Sequence, residues 1–207
     1  MLRLLLLIAT AAYAQQTSTP CSNTALAQTE TVHGPLGAST ALKVTSADDA
    51  SKNTHDCMAD YVLVVHGAKT GEPELVKLLS SDGNWGRRLV LHIDGFTKDG
   101  SRIFGILAED GRFAFTTLFE YRTKTGKVRL TDLRRASTAL AAAKCGAGLA
   151  VAGTTKGGAI VLRPDTTDPC ADSYRWRLNP STGDIRQLPD PGSIIGLYDG
   201  TRPQAAF

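Results

Sequence analysis

The 207 residues hold little that announces chemistry. A Gly-x-Ser-x-Gly elbow is absent. The nearest approach, Gly37-Ala38-Ser39-Thr40-Ala41, lacks the second glycine, which removes the main support for an α/β hydrolase. The four histidines, His33, His55, His66 and His92, show no spacing of the His-Glu-x-x-His kind, so no metal site is expected from them. No Cys-x-x-Cys pair occurs, which leaves zinc and thioredoxin-like chemistry without a basis. Lys and Arg are spread along the chain, with Arg87-Arg88 and Arg134-Arg135 only isolated pairs, and they read as solvated turn residues. A nucleic-acid binder needs a concentrated basic face, which this pattern does not supply. Past the first residues, no apolar run approaches the length that spans a bilayer as a helix.

What is present begins with an export signal. Arg3 gives a short positive region, Leu4 to Ala12 an apolar stretch of about nine residues, and Ala12-Tyr13-Ala14 a small-x-small cleavage site. Residues 1–14 are therefore expected to be removed, leaving 193 of the 207 residues and lowering the formal charge from +3 to +2 with the loss of Arg3. Cys21 follows Ser18-Thr19-Pro20, which is not a lipid-attachment context, so no stable membrane anchor is expected. The destination is the periplasm or the medium. In that oxidising setting an even count of cysteines, Cys21, Cys57, Cys145 and Cys170, favours disulfides. Three connectivities are open. Cys21–Cys57 with Cys145–Cys170 is preferred because each bridge closes within one unit, each worth roughly 3–4 kcal/mol in the chain-entropy model.

The chain nearly repeats itself. Thr70-Gly71, Thr125-Gly126 and Thr182-Gly183 each follow a strand-like run and precede another, at separations of 55 and 57 residues. One offset of 57 carries Phe96, Gly100, Ile103 and Phe104 onto Gly153, Gly157, Ile160 and Val161. It also carries Phe119, Thr125, Gly126, Val128 and Arg129 onto Trp176, Thr182, Gly183, Ile185 and Arg186. Periodicity of this length indicates stacked β units. Strands are expected over 61–65, 74–79, 89–93, 103–107, 113–121 and 127–130, with a final one near 194–198 completing or covering a sheet edge. Asp82-Gly83-Asn84, Asp99-Gly100 and Asp110-Gly111 are turns, because φ > 0 is cheap there. Residues 15–56 read as an irregular arm with a short strand at 40–44. Residues 57–200 form the repeat domain, in units near 57–82, 85–133 and 145–190, and 201–207 fray. Ala136 to Lys144 is open between a helix capped by Ser137 and a loop leading into a strand.

The fold class is accordingly mainly β: antiparallel hairpins or meanders, arranged as propeller-like blades or as a sandwich or barrel. Lys98-Asp99-Gly100, the apolar run Ile103 to Leu107, the aromatic strand Phe119 to Tyr121 and Thr125-Gly126-Lys127 resemble a blade of the TolB-type and WD40-like propellers, best over residues 95–133. The resemblance implies four-stranded blades. Three units fall below the 4–8 blades of a closed propeller. It implies no catalytic residue, since such blades host many functions.

Several further motifs have a plain structural explanation. Val62 to Gly67 has the strand-His-Gly form of an oxyanion loop, but His66 occupies the repeat position of Tyr121 and Leu178 and reads as packing. Gly146 to Gly153 lacks the βαβ setting of a dinucleotide site and reads as small residues for close sheet packing, so no cofactor is expected. His55-Asp56 with Asp48-Asp49 reads as a solvated loop. Glu109, Asp110 and Glu120 are the acids near the best repeat. Trp85, Tyr174 and Tyr198 are the candidates for surface recognition, while Trp176 is expected in the core. These features favour an exported binding or interaction module, its partner an envelope or extracellular protein or a glycan, with self-association through sheet edges as a further route. The alternative is an envelope or secreted hydrolase of carbohydrate or peptide, using acids and histidines that only the fold brings together.

Overall fold

A computed structural model describes residues 29–48, 57–67, 71–82, 89–109, 115–144, 148–165, 175–188, 193–198 and 200. The expected signal segment, Trp85, Tyr174, Cys21, Cys145, Cys170 and the tail 201–207 lie outside the described residues.

Among the described residues thirteen strands form three antiparallel sheets, accompanied by one α-helix. Sheet 1 orders β1 (Val32–His33), β2 (Ser39–Asp48), β3 (Cys57–His66) and β4 (Glu74–Asp82) as a meander. Sheet 2 does the same with β5 (Leu89–Phe96), β6 (Arg102–Glu109), β7 (Phe115–Arg122) and β8 (Lys127–Asp132). The helix α1 (Arg134–Ala142) leads to sheet 3. There β9 (Leu149–Thr155), β10 (Ile160–Pro164), β11 (Trp176–Leu178) and β12 (Ile185–Gln187) form a third meander, and β13 (Ile194–Gly196) adds to the free side of β9. The chain is mainly β, as expected, and among the described residues no sheet closes into a barrel.

Sheet 2 is the middle layer. Ile103, Leu107, Phe119 and Tyr121 join the core shared with sheet 1, around Leu42, Val44, Tyr61 and Leu63. The alternate residues Phe104, Ile106 and Leu118 join a second core with Val151, Leu162, Trp176 and Leu178 of sheet 3. Successive side chains of a strand point to opposite faces. The unbroken apolar run Ile103-Phe104-Gly105-Ile106-Leu107 therefore serves two cores at once. Two hydrogen bonds cross between sheets 1 and 2 in opposite senses: Tyr61 Oη donates to Glu109 Oε2 (3.2 Å) and Tyr121 Oη to Glu74 Oε2 (2.8 Å). Burial and the Glu74 carboxylate push the Tyr121 phenol up to about 12.

Three expectations are corrected here. The stretch read as a mostly irregular arm supplies β1 and β2, and β2 runs from residue 39 to 48 rather than 40 to 44. Its Ser, Thr and Ala residues give little apolar signal, yet Thr40 and Ala41 are buried, and Leu42 and Val44 enter the core shared with sheet 2. The open segment after β8 is helical, but Ser137 does not cap it. The Ser137 N–H lies inside the helix, donating to Leu133 O, and the Asp132 carboxylate accepts the Arg134 N–H at 2.9 Å. Ala136 and Leu140 then enter the second core. Finally, His66 ends β3 exposed, whereas Tyr121 and Leu178 are buried, so it does not share their packing role.

The turn glycines behave as the sequence suggests. Gly100, Gly126 and Gly183 have φ of +68°, +63° and +73°. In the β9–β10 turn the left-handed residue is Gly158 (φ +78°), one place beyond Gly157. Two other glycines serve a different end. Gly95 in β5 and Gly153 in β9 sit at register shifts, with φ of +135° and +155°. A side chain at Gly95 would strike the Tyr198 carbonyl, and one at Gly153 the Ile195 carbonyl. They are notches for residues 194–200. That segment pairs Gly196 with Gly153, exchanges two backbone hydrogen bonds between Tyr198 and Phe96 (2.8 and 2.7 Å), and sets Gly200 against His33. One short strap thus touches all three sheets, and it covers the inner side of β9 as the expected final strand.

Candidate functional site

A groove of about 590 Å³ opens where sheet 2 meets the hairpin ends of sheet 3. It falls within the 300–1,000 Å³ of small-molecule sites. Five arginines line it, Arg102, Arg122, Arg129, Arg177 and Arg186, against two acids, Glu120 and Asp184. The expectation that the basic residues scatter as turn residues is therefore corrected: β pairing gathers residues far apart in the chain.

Each wall is built by local turn chemistry. On the sheet 2 side, the Asp99 carboxylate accepts from Thr97 Oγ1 (2.6 Å), Ser101 N–H (3.1 Å) and Ser101 Oγ (2.8 Å). These bonds hold its carboxyl down at about 2. The Thr97 hydroxyl oxygen also accepts the Arg102 N–H at 3.0 Å, which fixes where β6 begins. Arg102 and Arg122 then lie directly opposite each other across β6 and β7. Like charges so placed repel. Glu120, only 2 % exposed, lies between them, at 3.5 Å from Arg102 Nη1 and 3.3 Å from Arg122 Nε. Arg102 also donates to Gly158 O across the sheet boundary (3.0 Å) and stacks over the Phe104 ring at 5.3 Å. Arg129, opposite Glu120 on β8, reaches Ser181 Oγ at 3.4 Å.

The sheet 3 side has a different balance. In the Asn179–Gly183 turn, Asn179 Oδ1 accepts the Ser181 N–H at 3.0 Å, and Gly183 supplies the left-handed residue. Trp176 and Leu178 enter the core, leaving Arg177 between them exposed. Arg177 pairs in register with Arg186. No acid among the described residues approaches either. Asp184 faces Arg135 instead, at 3.5 Å.

Among the described residues, the groups expected from the sequence are not brought together; His55, Asp56 and Asp110 lie outside them. Glu109 and Glu120 lie on opposite sides of sheet 2, one bonded to Tyr61 of sheet 1 and the other to the arginines facing sheet 3. A pair of carboxylates across one cleft is thereby excluded for them. His33 and His66 are exposed in sheet 1. His92 lies 3.1 Å from Asp94, in the inner strand of sheet 2. Burial drives His92 down, but the Asp94 carboxylate outweighs it and the net displacement is upward. Burial raises Asp94 as well, while the Val151 N–H donates to it at the β9 register shift. The pair lies partly buried beside sheet 3. No group of His, Cys, Asp and Glu among the described residues could hold a metal ion. Tyr198, a candidate for surface recognition, is half-buried against the first core as part of the strap. Cys57 stands opposite Asp48 at the far end of sheet 1. The disulfide expectation falls on residues outside those described.

The arginines were missed as a site because their positions span 85 residues, from 102 to 186. The 57-residue offset, which carries Arg129 onto Arg186, was the one signal that would have paired them. Comparison with family models, curated proteins and solved structures finds no match for the chain.

Proposed function

We propose that this chain is an exported recognition module that binds an anionic ligand in the arginine-lined groove, without covalent chemistry. One observation carries the reading: five arginines line a groove of small-molecule size against two acids, of which Asp184 faces Arg135. Arginine forks match carboxylate, sulfate and phosphate oxygens, and an open groove leaves them available to such groups. The stacked four-stranded meanders support blade-like units as the scaffold, and Arg3, the apolar run Leu4 to Ala12 and Ala12-Tyr13-Ala14 support export. Against the hydrolase alternative, Glu109 and Glu120 lie on opposite faces of sheet 2 rather than across one cleft. Pairing through sheet edges is disfavoured too. The outer strands β4, β8 and β12 carry Lys77, Lys127, Arg129 and Arg186, and charge on an edge blunts its pairing.

The test is a thermal-shift and calorimetric screen of residues 15–207 against phosphate, sulfate, citrate and uronic-acid salts at constant ionic strength. Saturable stabilisation by an anion beyond the chloride control is expected. A uniform response that follows ionic strength alone overturns the reading.

A further inference from the structure

The internal repeat permits a comparison within one molecule. The offset of 57 that superposes the hairpins of sheets 2 and 3 carries Glu120 onto Arg177 and Arg129 onto Arg186. In sheet 2 the cross-strand pair is Glu120–Arg129, opposite in charge. In sheet 3 the same pair of positions is Arg177–Arg186, alike in charge and in direct register. Side chains so opposed have Cβ atoms about 4.5–5.5 Å apart. The repeat therefore had an acid-base solution available, and at this one place sheet 3 carries a repulsive pair with no acid among the described residues to relieve it.

We infer that Arg177 and Arg186 form the anchoring subsite of the groove and that the group they take is a phosphomonoester. The inference rests on the anion-binding reading above and deepens it. The chemistry selects among anions. A carboxylate has two oxygens, which one guanidinium fork fills. A phosphomonoester has three terminal oxygens and carries close to −2 charge above its second pKa near 6. It can serve two forks at once and neutralise both arginines. The organic part of the ligand then lies along the groove, past Leu178, Asn179 and Pro180. Ligand and protein stability are linked: the anion removes a repulsion that the empty site keeps.

The experiment compares the wild type with Arg177→Glu, which rebuilds in sheet 3 the charge pair of sheet 2, and with Arg186→Gln. Probes are phenyl phosphate, inorganic phosphate, phenyl sulfate and benzoate. Phenyl phosphate should bind the wild type most tightly, ahead of inorganic phosphate because the ring occupies the groove, and about tenfold or more ahead of phenyl sulfate and benzoate. Its affinity should rise between pH 5 and pH 7 as the second proton leaves, while phenyl sulfate stays flat. Arg177→Glu should melt no lower than the wild type in the absence of anion, and should bind phenyl phosphate at least about tenfold more weakly. Arg186→Gln should show the same loss. Equal binding of phenyl phosphate by wild type and variants overturns the subsite while leaving anion binding in the groove intact. Preference for benzoate or the sulfate overturns the phosphomonoester assignment. Absence of saturable binding of any probe to the wild type overturns the groove reading as well.

Discussion

Sheets 2 and 3 are built on one plan and differ in what they do with it. Both contain a four-stranded meander with a glycine-bearing register shift in the inner strand, a left-handed glycine in the first and last hairpins, and an aromatic residue, Phe119 or Trp176, at the same repeat position in a core. Sheet 2 is covered on both faces, and its arginines meet an acid: Arg102 and Arg122 pair with the buried Glu120, and Arg129 lies opposite it in register. Sheet 3 has shorter outer strands and an unbalanced arginine pair. The lesson is that the repeat carries the fold, and the recognition we propose rests on a departure from it. A scaffold position is shared between the copies, while a position that changes charge in one copy has been released from packing.

The comparison can be broken first at what the two sheets share. Gly153→Val places a branched side chain on the Ile195 backbone at φ +155°, and should cost about 4 kcal/mol or prevent folding, read from urea unfolding. Gly126→Ala, in a turn with open space around it, should cost only about 1 kcal/mol. Equal losses at the two sites would mean that the strap contributes nothing. Next come the charged pairs, where the sheets should respond with opposite signs. Glu120→Gln leaves two opposed arginines, of which Arg122 is 52 % exposed, and should destabilise by roughly 2 kcal/mol. Arg177→Glu, as argued above, relieves a repulsion, and should raise the melting temperature by about 1–3 °C. A third contrast uses Tyr121, whose repeat partner is Leu178. Tyr121→Phe loses the bond to Glu74 and should cost about 1 kcal/mol with little change in unfolding slope.

The smallest effect concerns pH. Asp99 is held at about 2 in the fold, below the ordinary carboxyl value, chiefly by Thr97 and Ser101. Its contribution is therefore present above pH 4 and is lost as pH falls from about 4 through about 2. Because the group is largely exposed, that contribution is discounted to less than about 1 kcal/mol. Comparing acid unfolding of the wild type with Asp99→Ala should show the two curves converging toward pH 2. Curves that remain parallel would remove Asp99 from the account of the β5–β6 turn.

Much of the fold was readable, for a local reason. A turn needing φ > 0 selects glycine by itself, so Gly100, Gly126 and Gly183 mark their hairpins without help from the rest of the chain. The strands at 61–65, 103–107 and 127–130 were equally plain, because β-branched, apolar or alternating runs signal their own conformation. The strand at Ser39–Asp48 was largely hidden. Its burial comes from the partner sheet, and Ser, Thr and Ala carry no strong period. The groove was hidden for another reason: the nearness of Arg102, Arg122 and Arg186 is a product of pairing across three hairpins, and no short stretch contains it. Of the aromatics, Trp176 was readable as core, while Tyr198 was mistaken for a surface residue because its partner, Phe96, lies more than a hundred residues away in the chain.

The strap has a consequence for how the molecule is made. Synthesis is vectorial, so the residues of sheets 1 and 2 are made before residues 194–200, and β9 must wait with its inner flank bare. Only when that late stretch settles into the two glycine notches does Gly200 come to rest on His33, near the beginning of sheet 1. Sheet 3 thus lacks its last strand until the end of the chain is made, an order that would suit the export proposed above.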